Sequence, residues 1–315
     1  MSNGELSIVD RVHSWLDFNG FTDVTADHFY LKGDSLDDFI KDIIRNAKKS
    51  VKVVNPFVDK CAISDSLMGA TKKTNRVVLL TRSIDKNDHY YDSKVAYHET
   101  LKKSYVVVAH NDRIHAKLIV VDELVAVVSS LNFYSASSSG KTWEAGMVSL
   151  NPEVIKQTSE SITELLGSTE TSIEKPIIVI QIDKTVQNTP ENVFRYITEP
   201  ECIPVWNSYV ERAELTTKSP LQAGSTGKYY LKGNKSVKGT YLEYIKNKKM
   251  MTMSRQNNLL AIENWELTSN DKETNIGFTQ VMIFPNKMNG KQYLLVEKSY
   301  ETALNKIIDQ LVEIL

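Results

Sequence analysis

The sequence has few of the features that mark an exported or metal-binding protein. Its 315 residues include two cysteines, Cys61 and Cys202, which are far apart and lack metal-ligand spacing. We therefore expect no disulfide framework and no zinc module, but a reducing compartment with both thiols buried. The N-terminus lacks the basic and apolar parts of a signal peptide, and no apolar run reaches the roughly 18 residues of a membrane span. These absences predict a soluble, cytoplasmic protein.

The chain also lacks a strong excess of either charge. Its net charge is -1, which argues against a protein whose whole surface holds nucleic acid. Histidine is absent from the second half, since all six histidines lie at or before His115. Any imidazole chemistry is therefore expected in the first half of the chain.

The first half alternates helical and strand-like patterns. Strand, helix, strand, helix, strand and a closing strand pair predict an α/β fold with a mixed, mostly parallel sheet covered by helices. A helix is predicted to begin at an N-cap at Asp34 or Ser35. Ligands bind at the carboxyl ends of the strands in such sheets. Four residues lie at such ends, and termination of a strand is the favoured interpretation for each one, with a place in the site as the alternative: Asn55, Pro56, Thr81 and Arg82.

The second half has a different pattern. The polar stretch 167–175 has no apolar period and predicts a boundary between domains at 1–170 and 176–315. A cap at Thr189 with Pro190 begins a helix, and strand-like runs separated by turns then predict an antiparallel meander. The last 15 residues carry an apolar stripe at helical spacing, which must pack on the sheet: Leu304, Ile307, Ile308, Leu311 and Leu315.

The stretch from Ile114 to Gly146 contains the candidate chemistry. His115, Lys117 and Asp122 have the spacing H-x-K-x(4)-D, on predicted strands 114–121 and 124–129 that turn at Asp122-Glu123. Alternate residues of a strand share a face, so His115 and Lys117 would point the same way. A nucleophilic imidazole beside a fixed cation suits phosphate chemistry, although an amphipathic edge strand explains the pair equally well.

The residues that follow resemble the phospholipase D superfamily. That family has H-x-K-x(4)-D, then a Gly-Ser pair closely followed by Asn, then a downstream Glu, and here Ser129 replaces the Gly. The resemblance covers about residues 30–167, and includes the helix and strand that end at Pro56. The matching candidate catalytic residues are His115, Lys117, Asp122, Ser130, Asn132 and Glu144.

This resemblance implies hydrolysis of a phosphodiester through a phosphohistidine at His115, without a metal or other cofactor. Lys117 and Asn132 would hold the non-bridging oxygens, and Ser130 would add a hydroxyl donor. Glu144 would orient the ring of His115. Asp122 would anchor the catalytic pair from behind. The alternative for Ser130 and Glu144 is that they are polar groups on the surface. Ser129 replaces a Gly that allows close approach of the backbone, so the sequence does not decide whether phosphate fits there.

The single motif has a further consequence. The family chemistry uses two histidines, a nucleophile and a general acid that protonates the leaving oxygen. Because no second motif exists in this chain, the resemblance implies a homodimer with paired motifs across a two-fold axis. His89, His98 and His110 lack a matching motif, and His110 is interpreted as a polar residue at a strand end.

The C-terminal half is similar to the helix-grip, START-like family that includes polyketide cyclases and lipid-transfer domains. The similarity rests on the segment 185–211, the meander and the long last helix. It implies an α+β fold around a cavity for a hydrophobic small molecule or lipid. Aromatic residues that line such a cavity, or simply fill the core, are Trp206, Tyr230, Tyr244, Trp265 and Phe278.

A basic stretch runs from Lys228 to Arg255. It contains eight Lys and Arg side chains and one acid, Glu243. Solvated outward positions on the meander are the favoured interpretation, and a patch for phosphate backbones or anionic lipid heads is the alternative.

The leading hypothesis is a homodimeric, nuclease-like phosphodiesterase with an attached hydrophobic-ligand-binding domain. Nucleic acid is the preferred substrate class, since soluble single-motif relatives are often nucleases. The alternatives are a diesterase directed at phospholipids and a non-catalytic dimeric sensor.

Overall fold

The chain divides into two compact units. The computed structural model describes residues 8–18, 27–72, 76–134, 141–217, 220–269 and 273–315. The first unit comprises Met1–Pro176 with Asn286–Leu294, and the second comprises Ile177–Pro285 with Leu295–Leu315. The segment 286–294, which the predicted boundary assigned to the second domain, thus clusters with the first.

The first unit alternates helices with strands as its hydrophobic pattern predicts. Its elements are α1 Ile8–Phe18, β1 His28–Lys32, α2 Asp34–Arg45, β2 Ser50–Val54, α3 Ala62–Thr71, β3 Arg76–Thr81, α4 Tyr91–Lys103, β4 Val107–His110, β5 Leu118–Val121, β6 Val125–Ser129, β7 Ala145–Ser149, α5 Pro152–Leu166, β8 Ser172–Ile173 and β16 Met288–Asn289.

These strands form one mixed sheet in the order β1-β7-β6-β5-β2-β3-β4-β8-β16. The mixed sheet is confirmed. The β2–β3 and β3–β4 pairs are parallel, and the other pairings among its described strands are antiparallel. The sheet is therefore less parallel than predicted, because β5 and β6 are joined by a tight turn instead of a helical crossover.

Helices cover both faces of this sheet. Val51, Val53, Val77 and Leu79 share one buried core with apolar residues of α1 to α4. The alternate residue Lys52 points to the opposite face, where its Nζ donates to Ser159 Oγ of α5 at 2.7 Å. The period of two along each strand thus produces the layered α/β arrangement.

The N-cap of helix α2 lies before both of the predicted cap residues. Its N-cap is Gly33, with a φ of 54°, a backbone conformation that glycine adopts readily. The Gly33 N–H donates to the Glu144 carbonyl at 2.8 Å, so a residue distant in the sequence holds this N-cap in place. Asp34 and Ser35, the predicted caps, lie inside the first helical turn, where an acidic side chain is stabilised by the dipole.

The predicted strand 114–121 is shorter in the structure. Residues 114–117 have no regular secondary structure, and β5 begins at Leu118. The neighbouring strand β2 ends at Val54, which pairs with Leu118, so the residues before Leu118 have no partner on that side. The prediction that His115 and Lys117 lie in this strand is therefore wrong.

The second unit is a meander with a long last helix, which begins well before the 15 residues that carry the predicted apolar stripe. Its elements are β9 Ile177–Val186, α6 Pro190–Thr198, α7 Ile203–Trp206, β10 Val210–Leu215, β11 Thr226–Leu231, β12 Lys235–Ile245, β13 Lys249–Gln256, β14 Leu259–Ser269, β15 Thr274–Ile283 and helix α8 Gly290–Ile314, which begins in the first unit's segment.

Its antiparallel sheet has the order β10-β11-β12-β13-β14-β15-β9. The Thr189 cap is confirmed, since its hydroxyl oxygen accepts from the Asn192 N–H at 3.3 Å. Leu304, Ile308 and Leu311 of the predicted stripe are buried. The fold predicted for this half is confirmed.

Candidate functional site

Three loops that carry the predicted site residues meet at one edge of the first sheet. Lys117 immediately precedes β5, and its carbonyl accepts from the Ser129 N–H at the end of β6 at 3.2 Å. The Ser130 N–H donates to the Ala145 carbonyl at the start of β7 at 2.9 Å. Because β6 is antiparallel to both neighbours, the segments 115–117, 130–132 and 144–145 lie at the same edge.

His115 and Lys117 present available functional groups at this edge. The His115 side chain is exposed, and that of Lys117 is partly buried. The Lys117 ammonium donates to the His115 carbonyl at 3.0 Å, which holds the cation beside the histidine backbone. Among the described residues no carboxylate forms an ion pair with Lys117, so its charge is not neutralised there.

Asp122 lies at the other end of β5 and is buried. Its carboxylate accepts from the backbone N–H groups of Lys48, Lys49 and Ser50 at 2.7, 2.7 and 2.8 Å. Asp122 and Glu123 both have φ near +57°, as a tight turn between β5 and β6 requires. Asp122 therefore fixes the start of β2 against the hairpin, at the sheet edge away from His115.

Ser130 and Glu144 form a hydrogen-bonded pair. The Ser130 hydroxyl donates to Glu144 Oε2, and it also accepts from the Ala145 N–H at 3.1 Å. Thr142 Oγ1 donates to the other carboxylate oxygen at 2.9 Å, a contact that the sequence patterns did not predict. Glu144 is 8% exposed, so these hydroxyl donors stabilise a buried carboxylate.

Asn132 has an unsatisfied polar atom. Its side-chain oxygen is buried and accepts no hydrogen bond in the described part of the chain. The loop that carries it is held by Asn55, whose amide nitrogen donates to the Leu131 carbonyl at 3.0 Å and whose oxygen accepts from Phe133 N–H at 3.3 Å. Asn55 was a candidate strand-end residue, and it supports the loop of Asn132.

The replacement of a family glycine by Ser129 is matched by a glycine across the sheet. Ser129 pairs with Gly146 of β7, and a Cβ at Gly146 would lie 2.9 Å from the Ser129 Cβ. It would also lie 3.0 Å from Leu36 Cδ1. Gly146 therefore provides the space that Ser129 occupies. The sequence contained both residues, but their pairing required the sheet register.

A cleft of about 650 Å³ lies beside the site, at the ends of β2 and β3. Pro56, Thr81 and Arg82, which lie at strand ends, line it, and so does Tyr134 from the Asn132 loop. The Arg82 guanidinium lies 5.8 Å from the Phe57 ring centroid. His115 and Lys117 do not line the cleft, and Tyr134 connects it to the loop that carries Asn132.

Two further histidines stack beside this region. The rings of His98 and His110 are 5.8 Å apart with an interplanar angle of 20°. His98 is buried and contacts the Val58 carbonyl at 3.2 Å. Desolvation lowers the pKa of His110 to about 4, and it also lowers the pKa of His98. His110 ends β4, as predicted, and both rings are held neutral by burial.

The second unit encloses a cavity of about 270 Å³. Trp206 and Trp265 line it, as predicted. Tyr230 instead hydrogen-bonds Glu214 at 2.7 Å on the other face of β11, since the lining residue is its neighbour Tyr229. Tyr244 packs on Phe194, and Phe278 packs on Trp265 in the core, so neither contributes to the lining.

The basic stretch of the second unit is largely solvated. Lys249 pairs with Glu243 and Glu266 at 3.0 and 3.2 Å. Lys228 lies 4.6 Å from the Tyr230 ring centroid. The exposed members, which agree with the favoured interpretation, are Lys232, Lys235, Lys238, Lys246, Lys248 and Arg255.

Within the described ranges, no group of three or more His, Cys, Asp or Glu side chains is arranged to hold a metal ion. No described helix is long and apolar enough to cross a membrane.

Comparisons with known families agree with this architecture. Residues 40–166 match the family model described as the cardiolipin synthase, PLD-like domain. Residues 187–315 match the model described as Activator of Hsp90 ATPase homolog 1-like protein. A search of curated proteins gave no match.

Similar solved structures include Nuc from Salmonella typhimurium, a phospholipase D family member. It is 19% identical with a TM-score of 0.39, and the match covers 44% of this chain and 93% of that one. NucT from Helicobacter pylori is 12% identical with a TM-score of 0.39, covering 44% and 94%. Protein MLL2253 from Mesorhizobium loti is 13% identical with a TM-score of 0.35, covering 43% and 94%.

The first unit therefore contains a phospholipase D-like domain, and the second contains a helix-grip domain of the Hsp90 ATPase activator homolog type.

Proposed function

We propose that the first unit is a metal-independent phosphodiesterase that acts through a phosphohistidine at His115. The observation that supports this most is the meeting of His115 and Lys117 with Asn132 and the Ser130–Glu144 pair at one sheet edge. Phosphoryl transfer needs a nucleophile, a cation and N–H donors for the phosphoryl oxygens. His115, Lys117, which has no ion pair in the described part of the chain, and the amide nitrogen of Asn132 are groups of these kinds.

In the proposed first step an imidazole nitrogen of His115 attacks phosphorus. The P–N bond forms as the P–O bond to the leaving group breaks, and a second imidazolium gives its proton to the leaving oxygen. In the second step water attacks the phosphohistidine and loses its proton to that second imidazole. Phosphate monoester is released and both histidines return to their starting states.

The surrounding residues have separate proposed roles. Lys117 and the Asn132 amide bind the non-bridging oxygens as negative charge builds on them. Glu144 orients the His115 ring. Because the Ser130 hydroxyl already donates to Glu144, we assign Ser130 to positioning that carboxylate instead of to binding phosphate.

Asp122 has a structural role in this proposal. Its carboxylate receives three backbone N–H groups, and charge-assisted hydrogen bonds of this kind are the strong ones. It fixes the β5–β6 hairpin that carries His115 and Lys117 at its open end.

The second imidazolium is proposed to be the partner subunit's His115, in a homodimer. An exposed apolar surface supports this: Tyr30, Met147 and Val128 are 48%, 48% and 49% exposed. They are cross-strand neighbours on β1, β7 and β6, so they form one continuous stripe that ends near Ser130. A second copy on this stripe would bury it and bring two motifs together.

Single-stranded nucleic acid is the proposed substrate. The cleft beside the site is lined by Phe57 and Tyr90, which are 47% and 62% exposed, and by Tyr134 and Arg82. The exposed aromatic rings provide stacking surfaces for bases, and Arg82 adds a cation to a cleft that three Asp side chains also line. This combination favours a nucleotide chain over a phospholipid.

The second unit is proposed to bind a hydrophobic small molecule in its cavity. Its enclosed volume is near the lower limit of ligand pockets, roughly 300 Å³, and its walls include Trp206 and Trp265.

The test is hydrolysis of single-stranded DNA in the presence of excess EDTA. The wild-type protein should cleave, and His115→Asn should reduce the rate by at least about a thousandfold, because nucleophile removal eliminates the covalent pathway. His13→Asn, which changes an exposed histidine of α1 outside the motif, is the matched control and should retain the wild-type rate.

Other outcomes would favour the alternative functions. Faster hydrolysis of phosphatidylcholine vesicles than of DNA would indicate that the enzyme uses the same chemistry on phospholipids. If neither substrate nor a simple aryl diester is hydrolysed in the presence of EDTA, the enzyme hypothesis is rejected, and the non-catalytic dimeric sensor is the hypothesis that stands.

A further inference from the structure

Glu263 is a partly buried acid that the phosphodiesterase chemistry does not use. It lies on β14, opposite Thr252 of β13 and Gln280 of β15, and all three side chains line the cavity of the second unit. Gln280 Nε2 donates to Glu263 Oε1 at 3.0 Å. The carboxyl group is therefore oriented into a cavity from the centre of the sheet.

The charge of this acid is not balanced by the cavity walls. Among the described lining residues, none is Lys, Arg or His, and Glu263 is the only carboxylic acid. Desolvation raises the pKa of Glu263, and the hydrogen bond from Gln280 opposes this only in part. An ionised carboxylate in this position lacks a compensating cation, which is costly in an apolar environment.

The rest of the lining is suited to a cationic ligand with an apolar body. Trp206 and Trp265 meet edge to face with their centroids 5.9 Å apart, and Tyr229 and Tyr300 add two further aromatic side chains. Aromatic faces attract ammonium groups as well as packing against apolar groups. A Cβ at Gly239 would lie 3.2 Å from the Tyr229 ring, so this glycine provides room for that wall.

We propose that this cavity binds a small apolar amine, whose ammonium group pairs with the Glu263 carboxylate while its hydrocarbon part packs on Trp206 and Trp265. The inference rests on the proposed ligand binding by the second unit and adds the chemical class of the ligand. It is independent of catalysis by the first unit. The amine provides the cation that the lining residues lack, and Gln280 keeps the carboxylate in place for it.

The test compares amines with neutral alcohols of the same shape. Calorimetric titration of the full chain uses three pairs: benzylamine with benzyl alcohol, phenethylamine with phenethyl alcohol, and tryptamine with tryptophol. The amine of the best-binding pair should bind wild-type protein at least about tenfold more tightly than its alcohol, since a charged hydrogen bond replaces a neutral one.

Two variants assign this preference to Glu263. Glu263→Gln keeps the shape but removes the charge, and it should weaken amine binding about tenfold while changing alcohol binding less than about threefold. Glu266→Gln removes an exposed acid that contacts Lys249 on the other face of the same strand, and it should leave both affinities unchanged. Circular dichroism of both variants checks that the sheet is intact.

The contrary results are distinct. Equal binding of amine and alcohol, or an unchanged amine affinity in Glu263→Gln, overturns amine recognition while leaving ligand binding by the second unit in place. Absence of binding across all three pairs overturns both. Neither result affects the hydrolysis assay of the first unit.

Discussion

The Ser129 side chain occupies the space between β6 and β7 that Gly146, which has no side chain, leaves open. The family pattern has a glycine at the position of Ser129, and here the glycine lies on the facing strand. The backbone of Ser129 still reaches Lys117, and that of Ser130 still reaches Ala145. Ser129 is therefore accommodated with the hydrogen bonds of the site edge in place.

Gly146→Ala should destabilise this edge by about 1–3 kcal/mol, because the new methyl group would overlap the Ser129 side chain. Adding Ser129→Gly should recover part of that loss, the remainder being due to the contact with Leu36. Hydrogen exchange of the β6 and β7 amides measures the effect locally. Purely additive effects of the two substitutions would contradict this coupling.

The order of the six site residues was readable from the sequence, but their contacts were not. The pattern placed Ser130 as a donor to phosphate, whereas its hydroxyl donates to Glu144. Thr142, which donates to the same carboxylate, has no family signature. Such contacts depend on which loops a mixed sheet brings to one edge, and a linear pattern does not contain that information.

Helix α4 and strand β4 contain a group of titratable side chains outside the proposed reaction. Lys102 pairs with Glu99 and Glu174, both at 3.0 Å. Hydrogen bonds from Lys175 and then Lys102 lower the pKa of Glu99, and the contact with Lys102 lowers the pKa of Glu174. The stacked rings of His98 and His110 lie beside them, and the Lys102 charge contributes to the lowered pKa of both histidines. Asp112 also acts on His110, with the opposite sign.

This group predicts acid sensitivity of the first unit. The pKa of His110 falls from 6.5 in the unfolded chain to about 4, so the unfolded state binds a proton that the folded state does not. Stability from this residue is complete above about pH 6.5 and is lost as the pH falls towards 4, by at most about 3 kcal/mol. The lowered carboxyl pKa values extend the loss to lower pH.

His110→Phe keeps a ring against His98 but removes the titration. It should flatten the pH dependence of the free energy of opening of β3 and β4, measured by hydrogen exchange between pH 6.5 and 4. His89→Phe, at an exposed position outside this group, should retain the wild-type slope. An identical slope in His110→Phe would contradict the assignment.

Elements were more predictable than pairings. Helix α5 and the last turns of α8, from residue 301 onward, follow from their apolar period, and the Thr189 cap follows from its side chain. The first turns of α8, residues 290–300, were not predicted as a helix. The prediction of a strand at 114–117 was wrong because β2 ends opposite Leu118, and the sequence does not show this strand register. The cavity residue Tyr229 was missed in favour of Tyr230 for the same reason, since a shift of one residue reverses the face.

At the scale of the whole molecule, the proposed homodimer depends on the stripe of Tyr30, Met147 and Val128. Val128→Glu places a charge in the centre of this stripe and should convert the dimer to a monomer. Hydrolysis of DNA should fall in parallel, because a monomer has one motif histidine. Sedimentation and the rate measured on the same samples check the link.

Val205→Glu is the matched control for that experiment. Val205 is 60% exposed on the second unit and lies outside the stripe. This variant should sediment and hydrolyse DNA like the wild type. A Val128→Glu monomer with the full wild-type rate would reject the two-histidine site.

The central claim is the covalent intermediate at His115, and its most direct test is to trap it. Wild-type protein mixed with a 5′-labelled oligonucleotide is quenched in alkali within milliseconds, a condition that preserves phosphohistidine, and the peptide containing His115 is analysed by mass spectrometry. The account predicts a nucleotide or phosphoryl adduct on His115, formed with EDTA present and absent in His115→Asn. Turnover without an adduct, or an adduct on another residue, would contradict it.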